Sequence, residues 1–387
     1  MNKKLIAMAV AGACVAPAAM AQTANPVTLY GRVYVTFESV EAKGNVGNVP
    51  EVVRRNRVSD QSSLLGVRGT EDLGGGLKAF FQLETAFKPD QNDSVFAARN
   101  SGVGLQGGFG SVLLGRWDTP FKTSTIAVDP YGDLTIGGIQ AALNGGGVAN
   151  GNGTFDRRDQ NVVQYWSPTI AGFHFRASYS ANEAKTSTVN PRSEGASLTW
   201  TGGPFYAGYA YHQLKDQPAA AFTVTATTPP PFNIVSLTSP KQVGQAVFGT
   251  ASFGPIKVGA IYEKFRRDVS TSATTPGTIT GFSDQKAWMA NIVWTLGNHQ
   301  LIYQYSDAKD GGESIIESAT IHRAGEPHCR VHAPGYQYNF TRRTFFIAQY
   351  VHVDNNETAT CNFGSNTLAI TPGQDPRGAA VGIRHVF

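Results

Sequence analysis

Two stretches of the sequence carry residue types that could do chemistry. The segment IHRAGEPHCRVH holds His322, His328, Cys329 and His332, and imidazole and thiolate are common zinc ligands. The segment GVGLQG (102–107) has the glycine spacing of a dinucleotide-binding fingerprint. However, a turn and a strand pattern follow it where that fingerprint requires a helix, and no second ligand group accompanies the histidines. We therefore predict neither a cofactor nor a metal.

Other catalytic signatures are absent from the sequence. It contains no G-x-S-x-G elbow, no H-E-x-x-H pair, no P-loop, and no serine–histidine spacing that would indicate a hydrolase. The formal net charge is only +4, and Lys3 and Lys4 contribute to it. Such a balance does not indicate nucleic-acid binding. We predict no catalytic residues and no nucleic-acid partner.

The first residues have the organisation of a secretory signal. Lys3 and Lys4 precede an apolar run over 5–16, and a small-residue site, Ala19-Met20-Ala21, follows. The run is too short to cross a bilayer as a helix. We therefore expect a signal peptide over 1–21 and a mature domain over 22–387, exported to an oxidising compartment.

Alternation with a period of two runs through the mature sequence, whereas helical periodicity is nearly absent. In VTLYGRVYVTF (27–37) the apolar side chains share one face and the polar ones the other. The pattern recurs at 173–179, 288–296 and 301–305. We count about sixteen such segments of ~10 residues, the length of a membrane β-strand. A soluble β-sandwich also alternates, but its strands are usually shorter, near ~5–6 residues.

The connections between these segments alternate in length. Tight turns such as EDLGGGL and SFGPI alternate with long polar loops, the third of which covers 119–155. Short turns at one rim and long loops at the other are typical of an outer-membrane barrel. Because open sheet edges do not persist in lipid, the last strand must pair with the first. We therefore expect Phe387 in the aromatic girdle at the turn-side rim.

The sequence resembles the general trimeric porins of Gram-negative bacteria, in particular the β-proteobacterial branch. The resemblance spans the mature chain and rests on five motifs in order: VTLYGR (27–32), LGVRGTEDLGGGLKAFFQLE (65–84), VGLQGGFGSVLLGR (103–116), NVVQYWSPTIAGF (161–173) and the terminal GIRHVF. It implies an all-β, transmembrane antiparallel barrel of about sixteen strands with periplasmic turns and extracellular loops. It also implies a third long loop folded into the lumen to narrow the pore.

The charged residues near that loop are the candidate selectivity site. Alternation places Arg32, Arg68 and Arg158 on inward faces, and Arg99 opens the fourth strand. By resemblance these four form the basic wall of a constriction, opposite two loop acids, Asp129 and Asp133, with Glu84 as the nearest inward acid of the wall. Opposed charges across a narrow aqueous gap would create a transverse field. Where the family usually carries a further arginine, this chain has Leu64.

Three other sites have expected roles. Arg116 shares its parity with Leu114 and so points outward, where the resemblance implies a trimer contact. The family's terminal aromatic, here Phe387, is read by the outer-membrane β-barrel assembly machinery. Cys329 and Cys361 flank neighbouring strands at the loop-side rim, and we expect a disulfide rather than two free thiols.

We therefore predict an outer-membrane diffusion channel for ions and small hydrophilic solutes. Its expected partners are two further copies of the chain, membrane lipids and lipopolysaccharide. A substrate-specific channel for a sugar or a small organic anion is the alternative, and contiguous aromatics along the lumen would favour it. The inward aromatics Tyr30, Tyr34, Phe80 and Tyr206 are not contiguous in the sequence. The predicted constriction has more arginines than acids, which favours a modest anion preference. Its arginines are Arg32, Arg68, Arg99 and Arg158.

Overall fold

The computed structural model describes residues 27–44, 49–91, 93–132, 135–143, 155–187, 190–216, 238–270, 281–311, 314–317, 320–323 and 326–387. The expected signal peptide, 1–21, and Asp133 lie outside these residues. Among the described residues, no helix combines the length and the apolar character needed to cross a membrane.

The described part of the chain is almost entirely β-structure. It contains one short helix, α1 (Pro120–Thr125), and two 3₁₀ turns, Ile126–Val128 and Ile139–Ala141. The strands are β1 (Thr28–Lys43), β2 (Val52–Asp60), β3 (Leu64–Gly74), β4 (Leu77–Lys88), β5 (Asp93–Val95), β6 (Ser101–Gly107), β7 (Gly110–Asp118), β8 (Arg158–Trp166), β9 (Phe173–Ala181), β10 (Arg192–Gly202), β11 (Phe205–Lys215), β12 (Thr238–Phe253), β13 (Ile256–Ser270), β14 (Gly281–Leu296), β15 (His299–Asp310), β16 (Ser314–Glu317), β17 (Thr320–Arg323), β18 (His328–Asn339), β19 (Thr344–Asn355) and β20 (Asp375–Val386).

The strands form one closed antiparallel barrel. Sequential strands pair with each other, and β20 pairs with β1 from Arg32↔Val386 to Lys43↔Asp375. On its other side, the first part of β1 pairs with β3 and the later part pairs with β2. The strands β2 and β3 therefore lie end to end and count as one strand of the barrel. The short strands β5, β16 and β17 lie in loops. The described residues thus give sixteen barrel positions, which confirms the predicted fold.

Side chains alternate between the two faces as the sequence predicts. On β1, Leu29 and Phe37 point outward and are 61% and 51% exposed, whereas Tyr34 and Thr36 point inward and are buried. A continuous apolar outer band fits hydrocarbon, and a polar inner face fits water. The two-residue turns at the opposite rim from the long loops are tight, and at Gly254 and Gly297 φ is +58° and +59°, a conformation glycine adopts without strain.

The core of the molecule lies inside the barrel. The third long loop, between β7 and β8, turns inward at α1, where the Thr119 side chain caps the helix by accepting the Lys122 N–H. Phe121, Ile136 and Leu143 of the loop are buried against inward side chains of the barrel wall. The apolar residues of this loop therefore explain why it folds into the lumen, as predicted.

Candidate pore constriction

Hydrogen bonds hold the third long loop against one side of the barrel. The Tyr131 hydroxyl donates to the Ala333 carbonyl on β18 (2.7 Å), and the Asn291 amide on β14 donates to the Val128 carbonyl (2.9 Å). Burial raises the pKa of Tyr131 above its usual range, so this hydroxyl stays a donor. The described contacts thereby place the loop against β9 to β15 and β18.

Asp129 lies within the loop rather than across from the basic wall. Its Oδ1 accepts the Tyr131 N–H (2.8 Å), its Oδ2 accepts the Ile139 N–H (2.9 Å), and the residue is only 7% exposed. This differs from the expected pore-facing position, because converging backbone N–H groups within the loop bind the short carboxylate. Asp133, the second expected acid, is outside the described residues.

Arg32 and Arg68 face the lumen as expected. The Arg32 Nε donates to the Ser62 carbonyl (2.9 Å), and the Arg68 guanidinium lies over the Tyr30 ring, 5.0 Å from its centroid. Within the described chain, neither has a carboxylate at ion-pair distance. Leu64 pairs with Arg32 across the β1–β3 ladder and is buried. The wall here carries two uncompensated cations.

Arg99 and Glu84 form a compensated pair. The Arg99 Nε lies 2.7 Å from Glu84 Oε1, and the Tyr30 hydroxyl donates to Glu84 Oε2 (3.2 Å). Glu84 is 7% exposed, so the pair is largely withdrawn from the water. Both residues lie on the predicted wall, but they contribute little net charge to the passage.

Arg158 is not on the inner wall with the others. The β7–β8 register shifts by one residue between Gly115↔Val162 and Trp117↔Asp159, and Asn161 has φ +49°. This bulge moves Arg158 to the face opposite Val162, where it pairs with Asp118 at 3.0 Å. The predicted inward position assumed uninterrupted alternation, and the extra residue reverses it.

Two lumen-facing arginines were missing from the predicted site. Arg176 on β9 lies over the Trp166 ring at 5.4 Å, and Arg384 on β20 lies over the Phe345 ring at the same distance. Neither has an ion-pair partner among the described residues. Both occupy the polar face of their alternating strands, so parity alone was the signal that could have identified them.

Arg116 lies on the outer face, as its parity predicts. It follows Leu114, which is 53% exposed, and its Nε donates to the Ala98 carbonyl (2.8 Å) in the second long loop. The guanidinium thus has a partner within its own chain, which reduces the cost of an arginine near the membrane.

Cys329 and Cys361 are joined by a disulfide, with their Cα atoms 6.2 Å apart. Both are buried, and the bridge ties the last long loop to β18. His328 Nε2 lies 3.1 Å from an Asp307 oxygen, whereas the His332 ring contacts the Tyr303 hydroxyl. The side chain of His322 is outside the described residues. A bridged cysteine cannot supply a thiolate ligand.

Phe387 lies at the turn-side rim. Its backbone N–H and carbonyl both bond to Gly31, at 3.0 and 3.1 Å, and its ring covers the glycine on the outer face. A Cβ at Gly31 would come within 2.6 Å of this ring. The terminal residue is therefore part of the seam between β20 and β1.

Known proteins match this chain in sequence. The sequence profile of the Gram-negative porin family matches residues 7–358. Outer membrane porin protein 32 of Delftia acidovorans is 29% identical over 400 residues, covering 100% of both chains. Major outer membrane protein P.IB of Neisseria gonorrhoeae is 32% identical over 214 residues, covering 54% of this chain and 56% of the relative.

Solved structures agree on the fold. An anion-selective porin from Comamonas acidovorans superposes with a TM-score of 0.72 at 22% identity, covering 94% of this chain and 100% of that one. The trimer form of OmpT from Vibrio cholerae gives a TM-score of 0.64 at 16% identity, covering 94% and 100%. The profile match, the closed barrel and its inward third loop lead to one conclusion. The chain is a member of the Gram-negative porin family.

Proposed function

We propose that this porin conducts small hydrophilic solutes with a preference for anions. The passive channel function and the outer-membrane location follow from its family. The sign of the ion selectivity is our inference from the charges along the passage.

One observation carries the proposal: four arginines that face the lumen have no acidic partner, whereas the acids near them are already paired or hydrogen-bonded. Among the described residues, four inward arginines lack an ion-pair partner: Arg32, Arg68, Arg176 and Arg384. Glu84 is paired with Arg99, and Asp129 is bound by backbone N–H groups. A narrow aqueous passage with low-dielectric walls amplifies such an excess, which lowers the entry barrier for anions.

The reversal potential of single channels across a KCl gradient tests the proposal. We expect the sign that corresponds to chloride being more permeant than potassium. The preference should increase as the salt is diluted, because charges more than ~8 Å apart are screened near physiological strength. Equal permeabilities or a cation preference at low salt would contradict the proposal.

A substrate-specific channel remains the second candidate, and one observation favours its organic-anion form. Trp166 contacts both Phe80 and Trp117 on the inner wall, although the three residues are far apart in the sequence. Such a contiguous aromatic surface is the feature that a diffusion channel does not need.

We further propose that the mature porin is a homotrimer whose outer face, at Arg116 and Leu114, meets neighbouring copies. One structural neighbour is described as a trimer form, which supports this assembly. Unheated detergent samples should migrate as trimers and convert to monomers on heating. Migration only as monomers under mild conditions would contradict the trimer.

Export and insertion complete the proposal. Residues 1–21 would act as the signal peptide, and Phe387 would be read by the assembly machinery before the barrel enters lipid and lipopolysaccharide. Phe387→Ala should reduce the folded protein in outer membranes, whereas Phe340→Ala, at an exposed turn of the same rim, should not.

A further inference from the structure

An aromatic patch lies on the inner wall between the third long loop and the turn-side rim. It consists of Phe80 on β4, Trp117 on β7 and Trp166 on β8. The ring centroids of Phe80 and Trp166 are 6.3 Å apart with planes 27° from parallel, and those of Trp117 and Trp166 are 5.4 Å apart. All three side chains are partly exposed toward the lumen.

The wall beneath the aromatic patch is built to hold the rings in place. Gly104 lies between Phe80 and the β7 backbone, and a Cβ there would come within 2.6 Å of the Phe80 ring. Leu113 below is completely buried. The Trp166 Nε1–H donates to the side-chain Oε1 of Gln164 (3.0 Å), which fixes the plane of the indole. The patch is therefore a pre-organised surface.

A cation borders this surface. The Arg176 guanidinium lies 5.4 Å from the centre of the Trp166 ring, on the next strand, and no carboxylate of the described chain pairs with it. Arg68 carries a similar uncompensated charge over Tyr30, toward the other end of the wall. An aromatic face beside an unpaired guanidinium complements a planar ring that bears a negative charge.

The aromatic patch is not explained by the lipid environment. Aromatic girdles of membrane barrels face outward at the interfaces, as Phe173 and Trp200 do here, with centroids 6.4 Å apart. Phe80 and Trp166 instead face water on the lumen side. Exposed apolar rings are not needed for ions to cross an aqueous passage, and exposed apolar patches commonly mark ligand-binding surfaces, so a ligand-directed role accounts for them better.

We infer that the aromatic patch and Arg176 form a transient binding site for planar aromatic carboxylates, a substrate class within the proposed channel function. The ligand ring would lie against the exposed part of the patch, at Trp117 and the edge of Trp166, and its carboxylate would pair with the Arg176 guanidinium that lies over Trp166. A sugar is a poorer fit, because the nearest amide, Gln164, already bonds to Trp166 and to the Asp118 carbonyl.

The test records KCl current through single channels while benzoate is added, with cyclohexanecarboxylate as the non-planar acid of equal charge. We expect benzoate to block the current briefly at millimolar concentration. Cyclohexanecarboxylate should need at least a roughly five-fold higher concentration for the same block, because stacking on an aromatic side chain needs a π-face. Equal block by both acids, or block by neither, would overturn the inference.

Variants locate the site. Trp166→Ala and Arg176→Gln should each weaken the benzoate block at least five-fold, whereas Trp200→Ala on the outer face should leave it unchanged. If Trp166→Ala does not assemble, Trp117→Ala removes a ring of the same patch and must weaken the block. An unchanged block in the assembled variants would overturn the site.

The KCl current itself separates this inference from the proposed function. A conducting, anion-preferring channel without a benzoate effect contradicts the aromatic site alone. A protein that forms no channel contradicts the proposed function.

Discussion

The Tyr131 hydroxyl donates a hydrogen bond to the Ala333 carbonyl, 202 residues later in the chain. This contact joins the third long loop to β18 inside the barrel, where both residues are buried. The width of the passage therefore depends on how firmly the loop is held to this side of the barrel.

Tyr131→Phe should loosen the third long loop. The change removes a buried hydrogen bond worth about 0.5–1.5 kcal/mol. We expect more frequent current fluctuations and a larger mean conductance in single-channel recordings. Tyr303→Phe, whose hydroxyl contacts His332 on the outer face, is the matched control and should behave as the parent. Identical noise in Tyr131→Phe and the parent would show that other contacts suffice.

Gly104→Ala should destabilise the barrel wall. The added Cβ would meet both the Phe80 ring and the Val112 carbonyl oxygen of the neighbouring strand, and the backbone cannot move freely within the ladder. Overpacking of this kind costs about 1–3 kcal/mol. The temperature at which the folded band disappears in gel electrophoresis should fall, whereas Gly108→Ala in an open turn should leave it unchanged. Equal temperatures would contradict the close packing under the rings.

Loss of the disulfide should affect the loops and leave the barrel folded. Gly364 in the bridged loop donates a backbone hydrogen bond to Ile136 of the third long loop (2.8 Å), so the bridge also restrains the constriction. Cys329→Ser with Cys361→Ser should keep the folded electrophoretic mobility, because the strand ladder is untouched. Protease cleavage in 356–374 and current flicker should both increase, and an unaltered cleavage rate would contradict this restraint.

The barrel was predictable because one period, repeated along the chain, specifies each strand, and closure follows from the cost of an open edge in lipid. The site was less predictable. Arg158 was misplaced by a single extra residue at Gln160–Asn161, which alternation does not reveal. Asp129 was misplaced because a local backbone turn binds its carboxylate.

The aromatic contacts show the same limit. Phe80, Trp117 and Trp166 belong to three strands, and their contact depends on a register that no local pattern specifies. The alternation of β9 predicts that Arg176 faces the lumen, but it does not predict that the guanidinium lies over the Trp166 ring.

The central claim is that uncompensated lumen arginines set the selectivity, and charge-removing variants test it most directly. The reversal potential across a KCl gradient at low salt is compared for the parent, Arg68→Ala, Arg384→Ala and Arg330→Ala, the last removing an arginine that pairs with Asp307 outside the lumen. We predict that the chloride-over-potassium permeability ratio falls roughly 1.4- to five-fold in each lumen variant, since an exposed pair of opposite charges is worth about 0.2–1 kcal/mol. The ratio should be unchanged in Arg330→Ala. An undiminished anion preference in Arg68→Ala and Arg384→Ala, or a cation preference in the parent, would contradict the account.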